Sequence, residues 1–298
     1  MNEYVIEIQG LSRRFGKNLA LQDIDFKVPR GVVLGLVGEN GAGKTTLIKH
    51  LLGLLKAQTG TVRVFDKNPV ENPVEVLGRI GYLSENREMP PWMQIDEYIR
   101  YTKAFYSGWD QDYEQELINS FDLDRTQLIK HLSRGQRAKV GLLVALAYRP
   151  DLLLFDEPSS GLDPVVRRDM LTAIVRTITE EGRTVVLSSH LLDEVERVAD
   201  IVIMLHSGRI VLSDTLDNIR QEHHQLVVRF DEKQNGKPPQ LPGLMSCEGG
   251  PQEFSCICRE NLDVLKTAVT KLNGNIVDCS SPSLDEIFVA KVKADAEY

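Results

Sequence analysis

The sequence predicts an α/β protein in which helices cover both faces of a mostly parallel sheet. Three observations carry that expectation. First, short apolar runs alternate with amphipathic stretches: VVLGLV (Val32–Val37), LLLFD (Leu152–Asp156), TVVLSS (Thr184–Ser189) and IVIML (Ile201–Leu205). Runs that are apolar on both faces belong to buried parallel strands. Second, a glycine-rich turn, GENGAGKTT (Gly38–Thr46), joins the first of these runs to a helical pattern. Third, the texture changes twice: residues 86–150 are mostly helical, and from residue 222 onward the elements are shorter and mixed.

The elements follow in order. EYVIEIQ (3–9) and ALQDIDFKV (20–28) have the mixed alternation of antiparallel strands, and Pro29–Gly31 turns the chain into VVLGLV. After the glycine-rich turn, Leu47, Ile48, Leu51, Leu52 and Leu55 fall on one helical face. Thr61–Phe65 and Arg79–Leu83 read as short strands. From Trp92 to Tyr148 the pattern is helical, with Tyr98, Tyr101 and Phe105 on one face and Ile99, Thr102 and Tyr106 beside it. This is an inserted helical subdomain, and its many aromatics are expected to form its core, the alternative being a partner-binding surface. The alternation resumes with LLLFDEP, a helix after Asp163, TVVLSSH, a helix over Leu191–Ala199, IVIML, and a hairpin into Arg209–Ser213. EKQNGKPPQLPG (232–243) reads as a linker or long loop. Around it lie a strand at Leu226–Phe230, two near Met245 and Phe254, a helix at Leu262–Leu272, a strand at Asn275–Cys279 and a short helix from Leu284. The expected division is a large domain, 1–221, and a small α+β appendage, 222–298.

At 298 residues, 42% hydrophobic and 26% charged, the chain is a folded one with room for a large and a small domain. The net charge of -8 is a poor match for nucleic acid, and none is expected as a partner. No uninterrupted apolar run approaches the roughly 18 residues that span a bilayer. The N-terminus has neither a basic n-region nor an apolar h-region, so a cytoplasmic chain with reduced thiols is expected. Cys256 and Cys258 would share one strand face, and C-x-C is not the C-x-x-C spacing of common zinc sites. With Cys247 and Cys279 they are read as ordinary reduced cysteines.

The chemistry is concentrated in three places. Gly38, Gly43, Lys44 and Thr45 fit G-x-x-x-x-G-K-[ST], a backbone loop that wraps a polyphosphate. Glycine permits the backbone angles and close approach such a loop needs. Gly38, Glu39, Asn40, Gly41, Ala42, Gly43, Lys44, Thr45 and Thr46 are therefore the expected nucleotide cradle. Lys44 would supply charge to the outer phosphates and the Thr45 hydroxyl would ligate Mg²⁺. The fold class is thus a P-loop NTPase. LLLFDE brings Asp156 and Glu157 to the C-terminal edge of a buried strand, where ligand sites of open α/β sheets lie. Asp156 is the candidate Mg²⁺ partner and Glu157 the candidate general base. In LSRGQ (Leu132–Gln136), Ser133 and Gln136 have capping-box spacing, and a capped helix start can serve as an anion site.

With these motifs in this order, the chain resembles the nucleotide-binding subunit of an ATP-binding cassette (ABC) transporter over residues 3–220. The resemblance rests on GENGAGKTT, LSRGQ, the Asp156–Glu157 strand end, Gly161–Asp163 and His190 after the next strand. It implies two subunits packed head to tail, as a homodimer or heterodimer, with ATP between the loop of one and the LSRGQ helix of the other. Ser133, Gly135 and Gln136 would then meet the partner's ATP. His190 would hold the γ-phosphate or the attacking water, Phe15 would stack on adenine, and Asp163, also an N-cap ahead of Pro164, would communicate across the dimer.

Two positions depart from the family pattern. Glu85 stands where a Mg²⁺-ligating Gln is usual, with Asn86 beside it, and Arg134 replaces a Gly of the signature. The tail SPSLDEIFVAKV (Ser281–Val292) resembles exporter-type subunits. The resemblance therefore implies an ATPase using ATP and Mg²⁺ to power export through separate transmembrane permease subunits. Such a subunit would be cytoplasmic and peripheral on the inner face of the membrane. The alternative, a soluble ABC ATPase acting on ribosomes or nucleic acid, is disfavoured by the acidic balance and by the short span between GENGAGKTT and LSRGQ.

Overall fold

A computed structural model describes residues 3–86, 88–179, 182–232 and 238–296, with the side chains of 177–179 and 294–296 outside that description. Two long strands open the chain, β1 (Tyr4–Phe15) and β2 (Asn18–Pro29), paired antiparallel. They extend the expected strands to a turn at Gly16–Lys17. The polar LSRRF segment hides this extension, because bulges between Ile8 and Arg14 break its alternation. Next come β3 (Val33–Val37), α1 (Lys44–Leu51) and β4 (Thr59–Val64). β4 pairs antiparallel with β1, giving a three-stranded sheet in the order β2-β1-β4. A short helix unforeseen from the sequence, α2 (Pro73–Leu77), starts with Pro in its first turn. It leads into β5 (Ile80–Leu83).

The insertion follows as α3 (Ile95–Lys103), α4 (Gln111–Phe121), a 3-10 turn at Ile129–His131 and α5 (Arg134–Leu146). Its core is only in part the expected aromatic one: Tyr113 of α4 is buried. Ile95 and Ile99 form the buried face of α3, whereas Trp92 (71% exposed), Tyr101 (53%) and Phe105 (67%) point outward. A short helix carries two apolar stripes here, and the aliphatic one is buried. Tyr148 behaves as a core aromatic. It stacks on Tyr106 with ring centroids 3.7 Å apart and donates its hydroxyl to Ile80 O at 2.5 Å.

The alternation then resumes as β6 (Leu152–Asp156), α6 (Pro164–Thr179), β7 (Thr184–Ser189), α7 (Leu192–Val198), β8 (Ile201–His206) and β9 (Arg209–Thr215). The main sheet has the order β5-β6-β7-β3-β8-β9. The pairings β5–β6, β6–β7, β7–β3 and β3–β8 are all parallel. Every residue of β3, β6 and β7 is buried, as strands covered on both faces require. One core joins the two sheets and α1: Ile6, Ile8 and Leu21, Leu47, Ile48 and Leu51, and Leu34, Leu154 and Val186 all belong to a single buried cluster. Each such side chain contributes about 2 kcal/mol through burial.

The chain divides into two compact units, Met1–Ile210 and Val211–Tyr298. The second contains α8 (Leu216–Glu222), β10 (His223–Phe230), β11 (Leu244–Gly249), β12 (Glu253–Arg259), α9 (Leu262–Lys271), β13 (Gly274–Ser280) and α10 (Leu284–Ala296). Its four strands form an antiparallel sheet in the order β11-β12-β10-β13. Leu226, Val228, Phe230, Phe254, Leu265 and Val269 make its core, joined by Cys256 and Cys258 on the shared face of β12. Residues 233–237 of the expected linker lie outside the described residues. All four cysteines are free, and Cys279 alone among them is exposed.

Candidate active site

Parallel pairing brings three strand ends to one edge of the sheet. Val37 of β3 pairs with Ser189 of β7, and Ser188 pairs with Asp156 of β6. The loop after β3, the carboxylates after β6 and the histidine after β7 must therefore converge. Gly38 leaves β3 where a Cβ would stand 2.3 Å from Leu205 O on β8. Gly43, at φ 113°, precedes α1 with Ala20 O 2.7 Å from any Cβ. No side chain fits at either end of the loop, which is why both are glycine. Between them Glu39, Asn40 and Gly41 are exposed and Ala42 is buried. Thr45 is exposed, Thr46 is half-buried, and Thr46 O accepts from His50 Nδ1 at 2.8 Å.

Lys44 is turned back into its own loop. Nζ donates to Gly38 O at 2.6 Å and to Glu39 O at 3.2 Å, and it pairs with Glu157 Oε1 at 3.1 Å. Both side chains are only 6% exposed. A buried pair of this kind persists only when further hydrogen bonds offset the loss of hydration, and each partner has them. Glu157 Oε2 accepts from His190 Nδ1 at 2.7 Å and from His190 N at 3.3 Å. Glu157 N is held by Ser188 O at 3.1 Å. Oε1 is different: Lys44 lies off hydrogen-bond alignment, leaving this buried oxygen with charge beside it and no aligned donor. Glu157 sits at φ 51°, a left-handed conformation uncommon for a residue with a side chain. Asp156 is buried, and its Oδ1 accepts from Ser188 Oγ at 2.8 Å. His190 therefore pairs with Glu157.

Glu194 has a task that the sequence did not reveal. Buried on α7, it accepts from Ser159 Oγ at 2.6 Å and Ser189 Oγ at 3.4 Å, and faces Arg167 Nε at 3.1 Å. Burial pushes its carboxyl up from the ordinary value, and the Ser159 bond and Arg167 act against that shift. It fixes the start of the loop that follows Glu157. Ser188, Ser159 and Arg167 were also missed. The β6–β7 register pairs Ser188 with Asp156, and a single sequence does not display that register.

The LSRGQ helix start forms the expected capping box: Gln136 N donates to Ser133 Oγ at 3.1 Å, and Ser133 N to Gln136 Oε1 at 2.9 Å. Gly135 is buried against Val166 of α6, and Gly161 lies under the Arg134 side chain. Asp163 caps α6, its Oδ1 accepting from Val165 N and Val166 N, each at 3.1 Å. Phe15 is 44% exposed at the end of β1, with the Arg13 guanidinium 4.7 Å from its ring centre. Glu85 accepts from Ser160 Oγ at 3.4 Å.

Residues 21–160 match the family model described as ABC transporter. The chain is 30% identical to the uncharacterized ABC transporter ATP-binding protein YdbJ of Bacillus subtilis, over 100% of its own length and 98% of that protein's. The chain belongs to the ABC transporter ATP-binding proteins. It is also 30% identical to the daunorubicin/doxorubicin resistance ATP-binding protein DrrA of Streptomyces peucetius, covering 96% of this chain and 91% of that one. A solved ATP-binding subunit of an ABC transporter superposes with a TM-score of 0.67 at 30% identity, covering 72% of this chain and 92% of that one. As a member of the ABC ATP-binding proteins, the chain binds ATP and hydrolyses it to power transport. Among the described residues of this ABC ATPase, no helix is long and apolar enough to cross a membrane.

Proposed function

We propose that this ABC ATPase drives export through separate transmembrane permease subunits, and that Glu157 is its catalytic base. The carrying observation is the divided state of the Glu157 carboxylate. Oε2 is held by two donors from His190, whereas the buried Oε1 has no aligned donor. An oxygen held in that way is ready to accept a proton from water. The water oxygen attacks the γ-phosphorus, its proton passes to Oε1, and ADP leaves with the electrons of the broken P–O bond. Lys44, released from Glu157 as phosphate arrives, neutralises the outer phosphate charge, and His190 keeps the base oriented.

An exposed Thr45 hydroxyl and the Asp156 carboxylate fit the oxygen chemistry of Mg²⁺, which keeps several water and phosphate ligands. Glu85 is the third candidate ligand. The ion would supply positive charge to the bound phosphates. Phe15 would stack on adenine, and Ser133, Gly135 and Gln136 would meet the partner subunit's nucleotide in a head-to-tail dimer. Exposed Trp92, Tyr101 and Phe105 on the helical insertion offer an apolar surface for the permease, which would hold the subunit on the inner face of the membrane. The names of relatives, bacitracin transport in BcrA and daunorubicin/doxorubicin resistance in DrrA, support export.

Glu157→Gln tests the assignment. The variant is expected to bind ATP, to lose turnover by a factor on the order of 10² or more, and to accumulate as an ATP-bound dimer on gel filtration. Unchanged turnover and unchanged dimer would remove Glu157 from the role of base.

A further inference from the structure

Glu85 and Arg134, the two departures from the family pattern, meet in the fold although they belong to different elements. Together with Asn86, Arg137, Ser160 and Gly161 they line one pocket of about 290 Å³. Glu85 lies in the segment after β5, Arg134 is the first residue of α5, and Ser160–Gly161 belongs to the loop between β6 and α6. That loop runs between the two charges. On one side, Ser160 Oγ donates to Glu85 Oε1 at 3.4 Å. On the other, Arg134 covers Gly161 so closely that a Cβ there would stand 2.8 Å from Nη1. Gly161 itself is at φ 67°, so glycine serves both the turn and the cover.

We propose that Glu85 and Arg134 act as paired positioning residues that hold the Ser160–Gly161 loop from opposite sides. The loop starts at Glu157, is anchored by Ser159 to Glu194 at 2.6 Å, and ends at the Asp163 cap of α6. It therefore connects the proposed base to α6, whose Val166 lies against Gly135 at the start of α5. A nucleotide that engages the start of α5 draws on the Arg134 guanidinium and loosens one side of the hold. The loop, and with it the setting of Glu157, responds within the same chain. A neutral residue at 85 would accept from Ser160 more weakly, and a glycine at 134 would leave Gly161 uncovered, so the two departures act on one loop. The inference rests on the ATPase reading for its consequence, not for its geometry.

Amide hydrogen exchange on the full chain without nucleotide tests the hold directly. Peptides spanning 158–163 are followed in Glu85→Gln, Arg134→Ala and the double variant, with the β6 strand as an internal control. Each single change is expected to raise exchange in the loop at least about threefold. The double variant is expected to exceed the larger single effect little, because either loss already frees a shared element. Turnover of the same proteins, compared at saturating MgATP so that a change in nucleotide or metal affinity at either residue does not enter, should show kcat altered. The proposal is overturned if either single change leaves the loop's protection intact, or if the two effects multiply. Arg134→Gln replaces Arg134→Ala should β6 lose protection. Exchange is read without nucleotide, so a wild-type chain without turnover would count against the ATPase reading and leave the exchange result standing.

Discussion

Lys44 makes two hydrogen bonds to its own loop and an ion pair to Glu157, the proposed base. Its replacement therefore acts twice. Lys44→Ala removes the cation expected at the outer phosphates, and it leaves Glu157 as a buried carboxylate with His190 as its remaining polar neighbour among those described. Removing one partner of a buried pair costs about 3 kcal/mol. The variant should lose ATP binding in a fluorescent-nucleotide titration and melt earlier. Adding Glu157→Gln should restore part of the melting temperature and none of the affinity. Retained ATP affinity in Lys44→Ala would overturn the assignment of the loop. At this scale the sequence was informative about identities and silent about pairings. Gly38, Lys44, Asp156 and Glu157 could be named because a phosphate cradle and a strand-end carboxylate demand those residue types. The return of Lys44 onto Gly38 O and Glu157, and the hold of Ser188 on Asp156, depend on strand register and so appear only in three dimensions.

Helices α1 and α8 share a device. His50 in the last turn of α1 donates Nδ1–H to Thr46 O, and His223 just after α8 donates to Ile219 O, each at 2.8 Å. Both rings are buried, and both Nε2 atoms lack a hydrogen-bond partner. Burial therefore holds both imidazoles below the ordinary histidine value, with Arg13 adding to the effect at His50 and Arg259 and Lys291 at His223. Because the folded state binds these protons less readily than the unfolded state, stability is present above the ordinary value, about 6.5. It is lost as pH falls toward the lowered folded values. Glu194, held high by burial, acts in the opposite sense at lower pH, since its protonation relieves a buried charge. The melting temperature should thus fall between pH 7.5 and 5.5, and His50→Asn with His223→Asn should flatten that fall. A level profile in the wild type would contradict the account. Elements as such were largely legible: apolar runs located β3, β6, β7 and β8 to within a residue or two. α2 and α8 were not, because a helix of one or two turns offers too few positions for periodicity to register. The face of α3 was misjudged because its aromatic and aliphatic stripes compete and volume in the insertion went to the aliphatics.

Across the whole molecule, the two compact units differ in chemistry as much as in fold. The first holds every residue assigned to nucleotide, metal or proton transfer, and the second is an antiparallel sheet with helices and its own core. A parallel α/β body and a short-stranded α+β piece differ in spacing and amphipathicity, which gives the change of texture near residue 222, whereas the compact units divide at Ile210 and Val211. All four cysteines lie at 247 and beyond, so the first unit contains no thiol. Within the second, burial pushes the Cys258 thiol up to about 12 and the Cys256 thiol upward as well, while Cys279 stands exposed. Thiolate is the reactive form, so Cys256 and Cys258 are inert at neutral pH. Alkylation of the native protein with N-ethylmaleimide should therefore consume Cys279 first and leave ATP turnover unchanged; a loss of turnover that follows the modification of Cys279 would contradict this. An engine unit without a sulfhydryl of its own accepts one engineered cysteine in the 158–163 loop as a spectroscopic probe whose signal has no competitor within that unit.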